Sequence, residues 1–245
     1  MSNERGELQI FPNASAVADA LAELFVAVAD AAFADRGRFV VALAGGNTPR
    51  AAYELIASRA DGWMLSWSDV YVYFGDERCV RPDDEQSNYR MATKTLLSRV
   101  NIPPHNVHRM RGEVNPDEAA REYARELTED LGTHPRFDLV LLGMGTDGHT
   151  ASLFPGIDPM IDSDALVRAV SAPSGGLSRL TLTPTVFNAA HTVVFTTEGY
   201  AKAEALAAVR EGEYLPEKYP AQIIAPTDGR LLWLVDAAAA SNLKR

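Results

Sequence analysis

The sequence predicts an α/β protein with a mainly parallel sheet and helices on both faces. Short apolar runs alternate with helical patterns along almost all of the 245 residues. Three of these runs end abruptly in glycine-rich or charged turns, at 45–49, 75–78 and 143–148. Because ligands of parallel sheets bind at the carboxyl ends of the strands, we expect the functional site at these turns.

Composition and charge exclude several classes of function. A hydrophobic content of 47% with 23% charged residues is typical of a globular protein, and the net charge of −10 disfavours non-specific nucleic-acid binding. An anionic ligand would have to be held by local basic residues and backbone N–H groups. The single cysteine, Cys79, excludes an internal disulfide and a CxxC motif, and it suits a reducing compartment.

We expect one domain spanning residues 1–245, located in the cytoplasm, without a nucleic-acid or membrane partner. No internal repeat or low-complexity linker divides the chain. The polar start lacks the apolar core of a signal peptide, and no run approaches the roughly 18 apolar residues of a membrane span. The oligomeric state stays open between a monomer and a weak homo-oligomer.

The first half of the chain contains the first two of these turns. The segment 12–15 offers a cap for a helix that Gly37 ends, and 38–44 is an apolar strand that leads into the glycine turn. The predicted elements that follow are a helix over 51–59, a strand over 70–74, a helix over 88–100 capped by Ser87, a short strand over 106–110 and a helix over 116–131 capped by Asn115.

The second half is organised around the stretch 137–156. A buried strand over 137–142 breaks into the glycine-rich turn, and His149 follows at once. The remaining predicted elements are strands over 165–170, 178–183, 193–196 and 231–235 and helices over 184–190 and 199–209.

The glycines at 143, 145 and 148 formally match the dinucleotide-binding fingerprint. That fingerprint needs a helix that opens at its third glycine, whereas Pro155 ends any helix here within about two turns. It also usually lies in the first βαβ unit, and this one lies past the middle of the chain. We therefore predict no nicotinamide or flavin cofactor.

His149 is the first candidate for a catalytic residue. It follows a glycine turn at the end of a strand, Asp147 lies two residues before it, and histidine is the commonest general base near neutral pH. Two alternatives stay open at this level: a hydrogen-bonded loop histidine and, for Asp147, an ordinary turn residue beside Gly148. Ser152 is expected to pack or to cap a short helix.

Other patterns are weaker. The turn at 45–49 resembles a phosphate cradle but lacks the lysine of a P-loop, and a tight βα turn is the alternative. The run 76–78 either faces a ligand or is a solvated charge run. Arg179 and Lys202 are expected at the surface, and Cys79 as a small buried residue. There is neither a GxSxG elbow nor an HExxH motif, and the five histidines show no metal-ligand spacing.

Several blocks together resemble the 6-phosphogluconolactonase family. They are ALAGGNTPRAAYELIA (42–57), YFGDERCVRPDDEQSNYRMATKTLL (73–97), FDLVLLGMGTDGHTASLFPG (137–156), SRLTLTPTVFNAA (178–190) and, more weakly, AKAEAL (201–206). The resemblance implies a Rossmann-like fold related to that of glucosamine-6-phosphate deaminase. That deaminase family usually has tyrosine where this chain has Arg78, and a phenylalanine–asparagine–glutamate segment where this chain has 151–155.

The resemblance also implies a chemistry. The substrate would be 6-phospho-D-glucono-1,5-lactone, with His149 as the general base and acid, Asp147 or Asp76 orienting the imidazole, and Arg78 binding substrate or oxyanion. The residues implied for the phosphate are Gly45, Gly46, Asn47, Thr48, Arg179 and Lys202. No metal or cofactor is implied. The alternatives are a deaminase or isomerase of amino-sugar phosphates and a non-enzymatic sugar-phosphate-binding module, the latter disfavoured because no helix-turn-helix precedes residue 38.

Overall fold

The computed structural model describes residues 5–244 except 64, 159–160 and 162–163. The strands are β1 (Glu7–Phe11), β2 (Phe39–Leu43), β3 (Val70–Phe74), β4 (Asp76–Arg78), β5 (Leu139–Gly143), β6 (Val167–Val170), β7 (Arg179–Leu182), β8 (Thr192–Thr197) and β9 (Arg230–Asp236). The helices are α1 (Ala14–Arg36), α2 (Asn47–Trp63), α3 (Asn88–Thr95), α4 (Pro116–Leu131), α5 (Pro184–Asn188) and α6 (Ala203–Glu211).

The main sheet is parallel throughout. Its strand order is β1-β9-β8-β5-β2-β3, and every neighbouring pair runs in the same direction. A second, antiparallel sheet has the order β4-β7-β6 and begins directly after β3. Since Gly75 is the only residue between β3 and β4, the small sheet starts at the carboxyl edge of the large one.

Helices cover both faces of the main sheet, as predicted. In β2, Val40 and Ala42 point into the core cluster that contains α4, whereas Val41 and Leu43 point into the cluster that contains α1 and α2. All five residues of the strand are buried. This two-sided burial explains why the strand is continuously apolar. None of the helices in the described residues is long and apolar enough to cross a membrane.

The predicted helix caps are confirmed. The side chains of Asn13, Ser87 and Asn115 accept hydrogen bonds from first-turn backbone amides, and Gly37 ends α1 in the left-handed conformation with φ +70°. Each of the three N-terminal caps satisfies an amide that has no acceptor within its helix.

Several predicted elements differ from the structure. The helix expected over 51–59 begins earlier, at Asn47, directly after the glycine turn. The helix from residue 88 ends at Thr95, and a 3-10 turn follows. The strand expected over 106–110 is wrong: only one bridge, Val72 to Val107, forms there, because Asn106 ends a 3-10 turn. Strands β1 and β4 were not predicted.

Tyr53 holds the end of β2 where the glycine turn begins. Its side chain is fully buried, and its hydroxyl accepts from the Ala44 amide at 3.1 Å and donates to the Ala44 carbonyl at 3.0 Å. Burial raises the pKa of the Tyr53 phenol, and the bond with Ala44 offsets part of that rise. One side chain of α2 thus satisfies both backbone groups of the last residue before the turn.

We expect Tyr53→Phe to lower the free energy of unfolding by about 1–3 kcal/mol, because both buried backbone groups of Ala44 lose their partner. Urea titration followed by circular dichroism measures this change. The control is Tyr214→Phe, since Tyr214 is 54% exposed, and its effect should stay within about 0.5 kcal/mol. Equal unfolding midpoints for the two variants would contradict the role given to the Tyr53 hydroxyl.

Candidate active site

A cavity of about 210 Å³ lies at the carboxyl edge of the parallel sheet. Its walls come from the chain segments that follow β2, β3 and β5, as expected for a parallel sheet. The polar and charged side chains that line it are Asp76, Arg78, Asn88, His149 and Lys202. The backbone of Gly45, Gly46 and Gly145 lines it as well.

His149 and Asp147 form a hydrogen-bonded pair. The imidazole Nδ1 lies 2.6 Å from Asp147 Oδ1, and the same oxygen accepts from the backbone amide of His149 at 3.2 Å. With Nδ1 donating to the carboxylate, Nε2 is the ring nitrogen that remains free to exchange a proton with a ligand. The ring also packs beside Phe154, with centroids 5.1 Å apart.

The imidazole of His149 also changes the pKa of Asp147. Burial raises the pKa of Asp147, but the charge of His149 and its hydrogen bonds lower it by more, so the net shift is downward. Asp147 therefore stays ionised beside the imidazole at neutral pH. The sequence left open whether Asp147 or Asp76 orients His149. Asp147 is the carboxylate hydrogen-bonded to the imidazole, whereas Asp76 bonds to other residues.

The glycines of the 143–148 turn have a packing function. A Cβ on Gly145 would lie 2.1 Å from His149 Nδ1 and 2.4 Å from Asp147 Oδ1, so the pair closes directly over this residue. Gly148 has φ +79°, and a Cβ there would lie 2.8 Å from the ring of Tyr219. The glycines that match the dinucleotide fingerprint are thus explained by close packing, because side chains larger than hydrogen would clash at Gly145 and Gly148.

Asp76 is fixed by two residues that the sequence analysis did not assign to the site. Ser152 Oγ donates to Asp76 Oδ2 at 2.8 Å, and Asn88 Nδ2 donates to Oδ1 at 3.1 Å and to the Asp76 carbonyl at 2.9 Å. Ser152 packs in the interior, as expected, since it is 1% exposed, but it caps no helix, because the segment after His149 forms turns. Ala151, which precedes it, has φ +47°, a strained conformation for alanine.

Glu77 is buried and acts as a cap rather than as part of a solvated charge run. Its carboxylate accepts from the backbone amides of Arg78, Asn88 and Tyr89 at 2.7–2.8 Å and from Ser87 Oγ at 3.0 Å. Burial raises the pKa of Glu77, and these four hydrogen bonds offset part of the rise. The carboxylate thereby joins β4 to the start of α3.

Arg78 and Arg179 lie opposite each other. They are paired residues on the antiparallel strands β4 and β7, an arrangement that places two positive charges side by side. The Nε atoms of both side chains are buried without a hydrogen-bond partner in the described part of the chain. Burial and the neighbouring charge of Arg78 lower the pKa of Arg179. Both guanidinium groups thus retain unused capacity for an anion.

Lys202 supplies a third cation at the cavity. It lies at the junction between a 3-10 turn and α6, in the segment predicted from the sequence to be helical. Burial lowers the pKa of its ammonium group, and the charge of Asp147 partly opposes that shift. The expectation that Arg179 and Lys202 lie freely at the surface is wrong, since both side chains are partly buried.

The glycine turn at 45–49 leads directly into α2. Gly46 has φ +107°, a conformation that favours glycine, and at Gly45 a Cβ would lie 2.1 Å from Oδ1 of the Asn88 side chain. Asn47 is exposed, whereas Thr48 is buried. Amides in the first turn of a helix have no acceptor within that helix, and they attract anions.

The structure therefore gathers most of the residues predicted for the site. His149, Asp76, Arg78, Lys202, Gly45 and Gly46 line the cavity. The others lie one contact behind it: Asp147 bonds to His149, Arg179 pairs with Arg78, and Asn47 and Thr48 follow Gly46. Cys79, expected as a buried residue, is half-buried, and burial raises the pKa of its thiol.

Residues 12–233 match the family described as glucosamine-6-phosphate isomerases/6-phosphogluconolactonase. A 6-phosphogluconolactonase from Synechocystis sp. is 41% identical over 218 residues, which is 87% of this chain and 88% of that protein. The chain belongs to this family. Its fold is likewise that of 6-phosphogluconolactonase from Trypanosoma brucei, with a TM-score of 0.86 at 25% identity over 98% of this chain and 99% of that one.

The predicted relation to the deaminase fold is also confirmed. A monomeric glucosamine-6-phosphate deaminase superposes with a TM-score of 0.82, covering 96% of this chain and 99% of that one. At 20% identity this likeness concerns the fold alone.

We expect His149→Ala to raise the pKa of Asp147, because the charge and hydrogen bonds of His149 are what lower it. A depressed carboxyl pKa contributes stability above the unfolded value of about 3.9 and loses it as pH falls through the folded value. Carbon-13 NMR titration of the Asp147 carboxyl measures the shift. The control His105→Ala changes an exposed histidine and should leave Asp147 as it is. An unchanged Asp147 pKa in His149→Ala would show that the two groups are not coupled.

Proposed function

We propose that this chain hydrolyses 6-phospho-D-glucono-1,5-lactone to 6-phospho-D-gluconate in the oxidative pentose phosphate pathway. The observation that carries the proposal is the Asp147–His149 pair beside a cavity that Arg78 and Lys202 line, with Arg179 paired to Arg78 behind it, in a chain of this family. We place the reaction in the cytoplasm, because the single Cys79 has no disulfide partner and suits a reducing compartment.

In the proposed mechanism, His149 first acts as a general base. Nε2 takes a proton from water while the water oxygen bonds to the lactone carbonyl carbon, C1. The tetrahedral intermediate then collapses, the bond from C1 to the ring oxygen breaks, and the imidazolium returns its proton to that oxygen. Histidine is the side chain that most often serves as general base and acid, and such proton transfer contributes roughly 10²–10⁴-fold to the rate.

Asp147 is the proposed positioning group for His149. Its carboxylate accepts a hydrogen bond from Nδ1–H at 2.6 Å, so it fixes the tautomer and stabilises the imidazolium that forms after water attack. Asp76, whose two oxygens are bonded to Ser152 and Asn88, is better suited to accept a sugar hydroxyl than to support the imidazole.

The cations are proposed to bind the negative charge of the substrate. The first turn of α2 and the side chains of Arg179 and Lys202 would hold the phosphate, and Arg78 would neutralise the developing oxyanion or the phosphate. The orphaned Nε atoms of the two arginines and the mutual repulsion of their charges support this assignment, since an anion relieves both. A local cluster of this kind explains how a chain with a net charge of −10 would select a dianion.

The deciding assay compares two substrates. Acid release from freshly prepared 6-phosphogluconolactone, corrected for spontaneous hydrolysis, is followed beside ammonia release from glucosamine 6-phosphate. We expect lactone hydrolysis without ammonia. Ammonia release without lactone hydrolysis would sink the proposal and favour a deaminase.

For the chemical step, His149→Ala should lower kcat by roughly 10²–10⁴-fold and leave KM nearly unchanged. Asp147→Asn should also lower kcat, because the amide no longer stabilises an imidazolium. His105→Ala is the matched control and should keep full activity, as this histidine is exposed on a separate 3-10 turn. Near-normal kcat in His149→Ala would remove this residue from the mechanism.

For substrate binding, Arg179→Ala should raise KM by roughly 10–100-fold, the value of a lost charge-assisted hydrogen bond, with a smaller change in kcat. It should also discriminate less between the phosphorylated lactone and plain gluconolactone. Arg168→Ala is the matched control, because Arg168 lies exposed on β6 of the same small sheet. An Arg179→Ala variant that keeps its preference for the phosphorylated substrate would argue against a phosphate contact.

A further inference from the structure

A second group of chemically active side chains lies at α4, apart from the cavity. His108, Glu126 and Asp130 each offer one possible ligand atom, and these three atoms lie within 4.8 Å of one another. His108 Nδ1 is 2.7 Å from Glu126 Oε1 and 3.4 Å from Asp130 Oδ2. None of these residues lines the candidate active site.

The imidazole of His108 is held in place before any ligand arrives. Its ring stacks on that of Tyr73 with centroids 4.3 Å apart and an interplanar angle of 4°. Its backbone amide donates to the Val72 carbonyl at 2.8 Å, and its own carbonyl accepts from the Tyr123 hydroxyl at 3.2 Å. The Nε2 atom is buried without a partner in the described residues. Nδ1, the other ring nitrogen, is the one directed at the carboxylates.

The two carboxylates lack a permanent cation. Glu126 and Asp130 are one helical turn apart on α4, a spacing at which like charges repel. Within the described part of the chain, their ion pairs are with His108 alone, an imidazole that is charged only when protonated. By contrast, Glu122 and Glu129 of the same helix pair with Arg111 and Arg125. A positive charge is therefore missing at the point where the three groups converge.

The geometry points to a divalent transition-metal site, best suited to Zn²⁺, formed by His108, Glu126 and Asp130. One imidazole nitrogen and two carboxylate oxygens are typical zinc ligands, with water completing a tetrahedron. Ligand atoms about 2.0–2.1 Å from the ion would be about 3.3 Å apart. The observed separations of 2.7 Å and 3.4 Å need only a small movement of the half-exposed Glu126 side chain.

The surroundings favour zinc over calcium and magnesium. Those two ions prefer six or more oxygen ligands, and this site offers a nitrogen and few oxygens. The Tyr73 hydroxyl donates to Asp130 Oδ2 at 3.1 Å and orients that carboxylate, as outer-shell partners do in metal sites. Nε2 of His108 has no acceptor in the described residues, and such partners change affinity by about 10–100-fold, so we expect weaker binding than at a zinc site whose histidine has one.

Zinc bound here would join α4 to the segment beside β3 and so stabilise the fold. An ion present at 100 times its dissociation constant raises the melting temperature of a chain of this length by roughly 5–10 °C. The effect does not depend on any substrate, so it is measured separately from the proposed lactonase activity.

The test is calorimetric titration of ZnCl₂ into chelator-treated protein carrying His149→Ala, so that the active-site histidine does not contribute. We expect one site, which Glu126→Gln together with Asp130→Asn weakens at least tenfold. The matched control replaces Glu122 and Glu129 by glutamine on the same helix and should leave the affinity unchanged. Magnesium chloride should bind at least a hundredfold more weakly than zinc.

Two results would overturn the site. One is no zinc binding below 1 mM in the control with glutamine at positions 122 and 129, and the other is an equal zinc affinity in this control and in the variant changed at Glu126 and Asp130. A direct measurement avoids any effect of the variants on folding. Nitrogen-15 NMR of the unsubstituted His108 should show a shift of Nδ1 as zinc is added. Zinc binding that leaves this resonance in place would equally rule the site out.

Discussion

The cavity depends on the carboxylates of Asp76 and Glu77, which bring together parts of the chain that are distant in sequence. Glu77 accepts from the Arg78 amide on β4 and from two amides and a hydroxyl at the start of α3, and Asp76 accepts from Asn88 and Ser152. A buried carboxylate without such donors is strongly destabilising. The small sheet, α3 and the segment after His149 must therefore pack together, and the space between them is the candidate site.

The features that the sequence predicts well are those determined by interactions between residues close together in the chain. The caps at Asn13 and Asn115 and the turn that carries His149 involve partners only a few residues apart, so their residue patterns reveal them. The hydrogen bond between Ser152 and Asp76 joins residues that are 76 positions apart, so no local sequence pattern predicts it. Strand β1 was missed because it is a short edge strand, largely exposed and without a continuous apolar run.

The charge distribution shows how a local field can oppose the global one. The chain has a net charge of −10, yet the cavity edge places Arg78 opposite Arg179 and adds Lys202. Burial and charge repulsion disfavour the ionised form of Arg179 when no anion is present. The free-energy cost of holding the two charges together persists only where the surrounding structure fixes both groups, as the pairing of β4 with β7 does here.

The pairing of β1 with β9 has a consequence for synthesis of the protein. Reading outward from β2, the strands β3, β5, β8 and β9 join the sheet in the order in which they are made. Strand β1 is the exception, because Glu7 lies beside Leu232 and its neighbour β9 is more than 200 residues later in the chain. At synthesis rates of about 5–20 residues per second, β1 waits roughly 10–45 s for a partner. Strand β1 can therefore take its place in the sheet only after β9 has been synthesised.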